Sequence, residues 1–328
     1  MDYGHKQTDE DLKRLEKRIS QEYDTAAKEV EAKMQKYLEQ FEANDAKMKK
    51  LLDSGDITKS EYAEWRRKQM LIGDKWKQMK DDLTKDLVNA DKVAAQMIRN
   101  SLPETYALNR NYGMYEVETG ANASTSFSLV DESTVRRLLS DDPHFIPQPS
   151  VNVEKDSIWN RRHITSAITQ GILQGESIPK IAKRLRDVTD MDKSAAIRNA
   201  RTYTTAVENA GRQDSYEEAQ KMGIQMEKMW IATLDERTRD SHRELDGVTV
   251  PVDESFEAYN DKGEKSLLKF PADPDCTDPS QIYNCRCTLI SKIKNVDYDM
   301  VDRNSKLGDM SYEEWKHEKD KAPNQKKD

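Results

Sequence analysis

Four side chains in the last third of the chain have the chemistry of metal ligands: His242, Cys276, Cys285 and Cys287. Thiolates and an imidazole suit zinc, which favours tetrahedral sets of Cys and His. The run Asn284-Cys285-Arg286-Cys287-Thr288-Leu289-Ile290 reads as a strand. Side chains alternate along a strand, so Cys285 and Cys287 point to one face. A disulfide between such neighbours would be strained, whereas two thiolates on one face can chelate. With Cys276 and His242 they make a Cys3His set for a structural zinc ion. Cys-x-Cys is not the usual Cys-x-x-Cys spacing, however, and free cysteine packs well as a small buried residue. The reading without metal is three buried thiols in a compact, loop-rich domain.

A second cluster, Asp235, Arg237, Arg239 and His242, has spacings that share one side of a short helix. In an enzyme, Asp235, Arg239 and His242 would serve a nuclease or another phosphotransfer reaction, with His as acid or base and Arg holding a phosphate. No Ser-His-Asp arrangement or phosphate loop accompanies them. Arg201-Thr202-Tyr203 matches a fragment of an ADP-ribosyltransferase site, without its glycine-rich cradle or paired glutamates. An Arg-Asp-His cluster is more often a hydrogen-bonded network that holds a small domain rigid. The sequence therefore assigns no catalytic residue.

The chain has 328 residues, with 35% hydrophobic and 35% charged. That balance is poor for one large core and fits long helices with solvated faces. Lys and Arg number 53 against 61 Asp and Glu, a net charge of -8. A net acidic chain is no bulk coat for nucleic acid, which needs clustered positive charge. No apolar run approaches the ~20 residues that cross a bilayer. No secretory signal is expected at the N-terminus. Three late cysteines fit a reducing compartment, the cytoplasm, rather than a disulfide framework.

Long helices must position these clusters. Leu12, Leu15, Ile19, Tyr23, Ala26, Val30, Met34, Tyr37 and Phe41 follow steps of three and four, the repeat of a nearly straight helix. Asp53 to Asp56 is a turn, and Thr58-x-x-Glu61 a capping box. A second stripe follows: Tyr62, Trp65, Ile72, Trp76, Met79, Leu83, Leu87, Ala90, Ala94 and Met97, with Pro103 as its stop. Two such helices make an antiparallel hairpin over 1–104. Tyr106, Tyr112, Tyr115, Val117, Phe127 and Leu129 among Asn, Gly and Ser predict short strands, and 105–149 ends in a proline-rich linker. A helical region spans 150–228. One helix ends near Gly175, another starts at Ser177-Ile178-Pro179, and a third runs from Lys193 to Met222 on a stripe of small residues that favours a close helix contact. Arg161, Arg162, Lys180, Lys183, Arg184, Arg186, Lys193, Arg198, Arg201 and Arg212 make it basic. Solvated helix faces are the simpler reading of these charges, and contact with DNA or an acidic partner the sharper one. Mixed strands and turns occupy 229–292. The charged tail 293–328 is expected to hold one capped helix at Ser311-x-x-Glu314 and to be partly disordered, over Lys321 to Asp328. The fold class is α+β, mainly α.

The order of Trp230, Asp235, Thr238, Arg239, His242, Leu245, Asp246, Gly247, Pro274, Asn284, Cys285, Arg286 and Cys287 resembles the phage head-morphogenesis family, the Mu F-like minor capsid domain. Upstream, Gly171-x-x-x-Gly175-x-Ser177 with Ile181 and Leu185, and Ala200-Arg201-Thr202, resemble the family's helical lead-in. Two positions depart from the pattern: Tyr203, where the family often carries Glu, and Cys276, which is foreign to the motif. The resemblance implies a structural minor head protein in few copies, partnered with the portal protein and with the major capsid or scaffold protein. It implies placement in the head interior or at the portal vertex. Contact of the Arg161–Arg212 region with packaged DNA goes with that role.

Overall fold

The computed structural model describes residues 2–69, 74–149, 152–174, 176 and 178–321. It is mainly helical with small antiparallel sheets, the expected class. The chain divides into two compact units, and α1 (Tyr3–Ser54), α3 (Asp74–Ala121) and α6 (Ile178–Lys221) each give one stretch to each.

One unit comprises 16–97 and 150–197. Its part of α1 buries Ile19, Tyr23, Ala26, Val30, Met34, Leu38 and Phe41. Leu38 joins the stripe beside Tyr37, whose ring packs on the same core against Trp76 while its hydroxyl donates to the Gln69 carbonyl. Thr58 caps α2 (Lys59–Arg67) in the expected box with Glu61. Ile72 lies outside the described residues. Trp76, Met79, Leu83 and Leu87 of α3 pack on Val30, Met34 and Leu38. Ile164 and Ile168 of α5 (Val153–Leu173) and Ile181, Leu185 and Val188 of α6 close the same core. The two stripes thus meet, within a four-helix core rather than a bare hairpin.

The break expected before Lys193 is absent, and α6 runs unbroken. Thr189 and Ser194, residues that often cap, instead donate back to the Leu185 and Asp190 carbonyls of the preceding turn. Gly175 and Ser177 lie outside the described residues.

The other unit comprises the described residues of 1–15, 98–149 and 198–328. The largest correction falls here: α3 continues through Pro103 to Ala121, where the sequence predicts a stop and then strands. Proline inside a helix costs about 3 kcal/mol. Burial of Leu102, Tyr106, Met114 and Val117 on the two sides of it outweighs that cost, at about 1.5–3 kcal/mol for each large apolar side chain. The asparagines that suggest turns bind other segments instead. Asn109 Nδ2 donates to Thr8 Oγ1, and Asn111 pairs twice with the Val130 backbone.

Past α3, β1 (Ala123–Ser124) pairs with β7 (Asp302–Arg303), and Asp131 caps α4 (Glu132–Asp141). β2 (Ile224–Ile231) is the centre of an antiparallel sheet ordered β3-β2-β6, with β3 at Thr249–Pro251 and β6 at Thr288–Val296. β4 (Phe256–Tyr259) and β5 (Lys265–Leu268) form a separate hairpin. Two short helices lie between the strands in sequence, α7 (Asp240–Glu244) after β2 and α8 (Pro279–Ile282) before β6. Ser311 and Glu314 cap α9 (Tyr312–Lys321) as expected. The tail from 322 on lies outside the described residues.

Candidate functional site

β2 sets Trp230 opposite Leu289 and Ile231 opposite Thr288. The strand predicted from Asn284 begins only at Thr288. Asn284 takes the left-handed backbone conformation, φ 57°, and residues 285–287 belong to no strand ladder. Their backbone is bound instead by a polar stripe of α6. Thr202 Oγ1 accepts from Asn284 N, and Thr205 Oγ1 donates to the Cys285 carbonyl. Asn209 donates to the Cys287 carbonyl and accepts from Leu289 N, while Arg212 Nη1 donates to the Leu289 carbonyl. These residues recur at steps of three and four, so they share one helix face. Sequence reading took the apolar stripe of α6 for its only ordered face. The polar stripe carried the same period and was the missed signal.

The segment held in this way puts both thiols on one nitrogen. His242 Nδ1 lies 3.7 Å from Cys285 Sγ and 3.5 Å from Cys287 Sγ. All three side chains are buried. Burial pushes the Cys285 thiol up, while the hydrogen bond from Cys285, with His242 beside it, pulls Cys287 well down. His242 Nε2 has no hydrogen-bond partner among the described residues. The ring is set instead by a T-shaped contact with Trp230 at 5.2 Å. Cys276, the fourth expected ligand, does not join the group. Its Sγ lies 3.7 Å from the Asp278 carbonyl, in the loop between β5 and α8.

Asp235 and Arg239, expected beside His242 in the enzyme reading, are engaged elsewhere. Asp235 takes both ends of the Arg286 guanidinium at 2.6 and 2.7 Å and accepts from Arg237 N. The Arg286 hydrogen bonds hold its carboxyl well below the usual range, against a smaller effect of desolvation. Arg239 donates to the Tyr283 carbonyl.

The family model for Phage Mu protein F like protein matches residues 162–290. Over 326 residues the chain is 30% identical to "Minor head protein GP7" of Bacillus phage SPP1, covering 96% of each. The chain belongs to the Mu F-like family of phage minor head proteins. It is also 30% identical over 208 residues to "NAD(+)--arginine ADP-ribosyltransferase EFV" of Enterococcus faecalis. That likeness covers 62% of this chain and 41% of the relative. A further relative is the uncharacterized protein YqbB of Bacillus subtilis, 30% identical over 38% of this chain and 40% of its own length. No solved structure matches.

Hydrogen bonds hold several positions of the Mu F-like motif in place. Asp246 accepts from Ala232 N, and Gly247, at φ 76°, donates from its N to the Trp230 carbonyl, so the turn is locked to the end of β2. Glycine adopts that conformation without the strain of a side chain. Thr238 Oγ1 donates to the Thr233 carbonyl, fixing the entry to α7. Ser241 Oγ donates to Gln281 Oε1, tying α7 to α8.

The basic run divides differently. Arg161 pairs with Asp81, Arg184 with Glu176, Arg186 with Glu31, and Lys193 with Asp24 and Asp190. Arg198 lies over the Tyr283 ring. Arg212 is fully buried and pairs with Asp2 at 2.7 Å, so it is no surface cation. Arg162, Lys180 and Lys183 are exposed.

Proposed function

We propose that this Mu F-like protein is a non-catalytic part of the phage head that binds the portal and serves head assembly or the packaging and delivery of DNA. The observation that carries this reading is the likeness to the SPP1 minor head protein over 96% of both chains. A common length favours a common role, whereas the ADP-ribosyltransferase is matched over only 41% of its length. The geometry agrees with a role without catalysis. Asp235 is spent on Arg286, Arg239 on a backbone carbonyl, and the His242 nitrogen on two buried thiols. A general acid or base needs to reach its substrate, and the His242 side chain is buried. The internal pairing of Arg161, Arg184, Arg186 and Lys193 supports a protein partner over DNA.

The test is co-sedimentation of the purified chain with portal rings, together with deletion of its gene from the phage. Binding to the rings is expected, and so are heads that form but infect poorly. Full infectivity without the gene would reject the proposal. Transfer of ADP-ribose from NAD, or nuclease activity abolished by His242→Ala in a folded protein, would reject its non-catalytic part.

A further inference from the structure

His242, Cys285 and Cys287 form the one group of potential metal ligands found among the described residues with all ligand atoms within 4.8 Å of one another. A tetrahedral zinc ion has bonds of about 2.0–2.1 Å to nitrogen and about 2.3 Å to sulfur. Those bonds require N···S separations of about 3.6 Å. The two observed separations, 3.7 and 3.5 Å, bracket that value. An S–H···N hydrogen bond explains one such contact. It does not explain why a single nitrogen lies at nearly the same distance, 3.7 and 3.5 Å, from two sulfurs two residues apart.

The surroundings also fit a metal. The ligands are soft thiolates and an imidazole, the donors that select zinc over magnesium or calcium. The backbone of both cysteines is fixed from α6 by Thr205 and Asn209, and the imidazole is fixed by Trp230. Such prior fixing of ligands is what a metal site needs from the residues behind it.

We propose that Nδ1 of His242 and the sulfurs of Cys285 and Cys287 hold one zinc ion, with a water molecule at the fourth corner. Cys276 takes no part. The ion joins α7 to the segment before β6, positions 43 and 45 residues apart in sequence. It thereby closes the loop that carries β3, β4, β5 and α8. Because the site is buried, the ion acts as a brace, not as a Lewis acid open to substrates. Both cysteines bind zinc as thiolates, so binding releases their thiol protons to solvent.

The full-length chain, purified under reducing conditions and equilibrated with Zn2+, should retain about one zinc per chain after dialysis. Cobalt in its place should give thiolate-to-metal charge-transfer absorption. Cys285→Ser, Cys287→Ser and His242→Ala should lose the ion, and Cys276→Ser should keep it. Alkylation mapped by mass spectrometry covers variants that fail to fold. In the wild-type chain, Zn2+ but not Mg2+ should protect Cys285 and Cys287 and leave the reactivity of Cys276 unchanged. A reduced, helical wild-type chain that retains no zinc would overturn the proposal. Loss of the ion in a folded Cys276→Ser variant would overturn the three-ligand assignment.

Discussion

The two units are held together by different kinds of interior. In the unit formed by 16–97 and 150–197, four helices share one apolar core, from Val30 and Met34 to Leu83, Leu87, Ile168 and Leu185. In the other unit, charged and polar groups are buried alongside a larger apolar cluster. Arg212, Glu208, His5 and Asn109 all have side chains out of solvent. The reason lies in the elements. Regular helices satisfy their own backbone groups and need only bury apolar stripes. The irregular segment 284–287 satisfies few of its own, so α6 must supply side-chain donors and acceptors inside the protein. Interiors of this second kind depend on every partner being present.

The largest expected effect therefore falls on the charged interior. Arg212→Ala removes the donor to Leu289 O, leaves the Asp2 carboxylate without its cation and leaves Glu208 with His5 alone. Breaking a buried pair costs about 3–5 kcal/mol. Hydrogen exchange should accelerate in peptides covering 284–296 and leave those covering 26–41 unchanged. Leu83→Ala, a cavity in the helical core, should cost about 2–5 kcal/mol and show the reverse pattern. Equal acceleration in both units from either change would mean that the two interiors open as one.

The same contrast decides what could be read from the sequence. The stripes of α1 and α3 were legible because steps of three and four report burial directly, and the capping residues Thr58 and Ser311 mark helix starts. The stop at Pro103 was misread because a local penalty was weighed without the tertiary burial of Leu102 and Tyr106. The motif from Trp230 to Cys287 was legible as an order of residues, and the thiols do face one side. Their backbone is not a strand, though, and spacing alone cannot exclude Cys276. Arg212 was grouped with surface cations because a buried guanidinium has no sequence signature apart from its partners, and Asp2 lies 210 positions away.

A smaller effect should appear in the pH dependence. Burial alone would lower the His5 pKa, but the Glu208 carboxylate at 2.7 Å, with Asp9, outweighs this and raises it to about 9. A raised pKa means that the folded state holds its proton more tightly than the unfolded state, whose value is about 6.5. The contribution is complete below about pH 6.5 and is lost as pH rises towards 9. Denaturant unfolding should thus show a fall of a few kcal/mol over that window, absent in His5→Gln. A wild-type chain with a flat profile from pH 6.5 to 9 would show that the N-terminal segment is not held by this pair.

The smallest effect tests a sign. Gly211 sits inside α6, where alanine ordinarily stabilises a helix by about 0.5–1 kcal/mol. A Cβ there would lie 2.8 Å from the Tyr106 carbonyl oxygen and 3.0 Å from Arg110 N, both backbone atoms of α3 that cannot swing aside. Overpacking of this kind costs about 1–3 kcal/mol, more than the propensity returns. Gly211→Ala should therefore lower stability by about 1 kcal/mol, with faster exchange at 106–117 and at 284–290. A stabilised variant would mean that α3 and α6 can separate by several tenths of an ångström without losing the contacts that hold Cys285 and Cys287. In that case the ligand geometry would rest on the polar stripe of α6 itself and not on the close helix crossing beneath it.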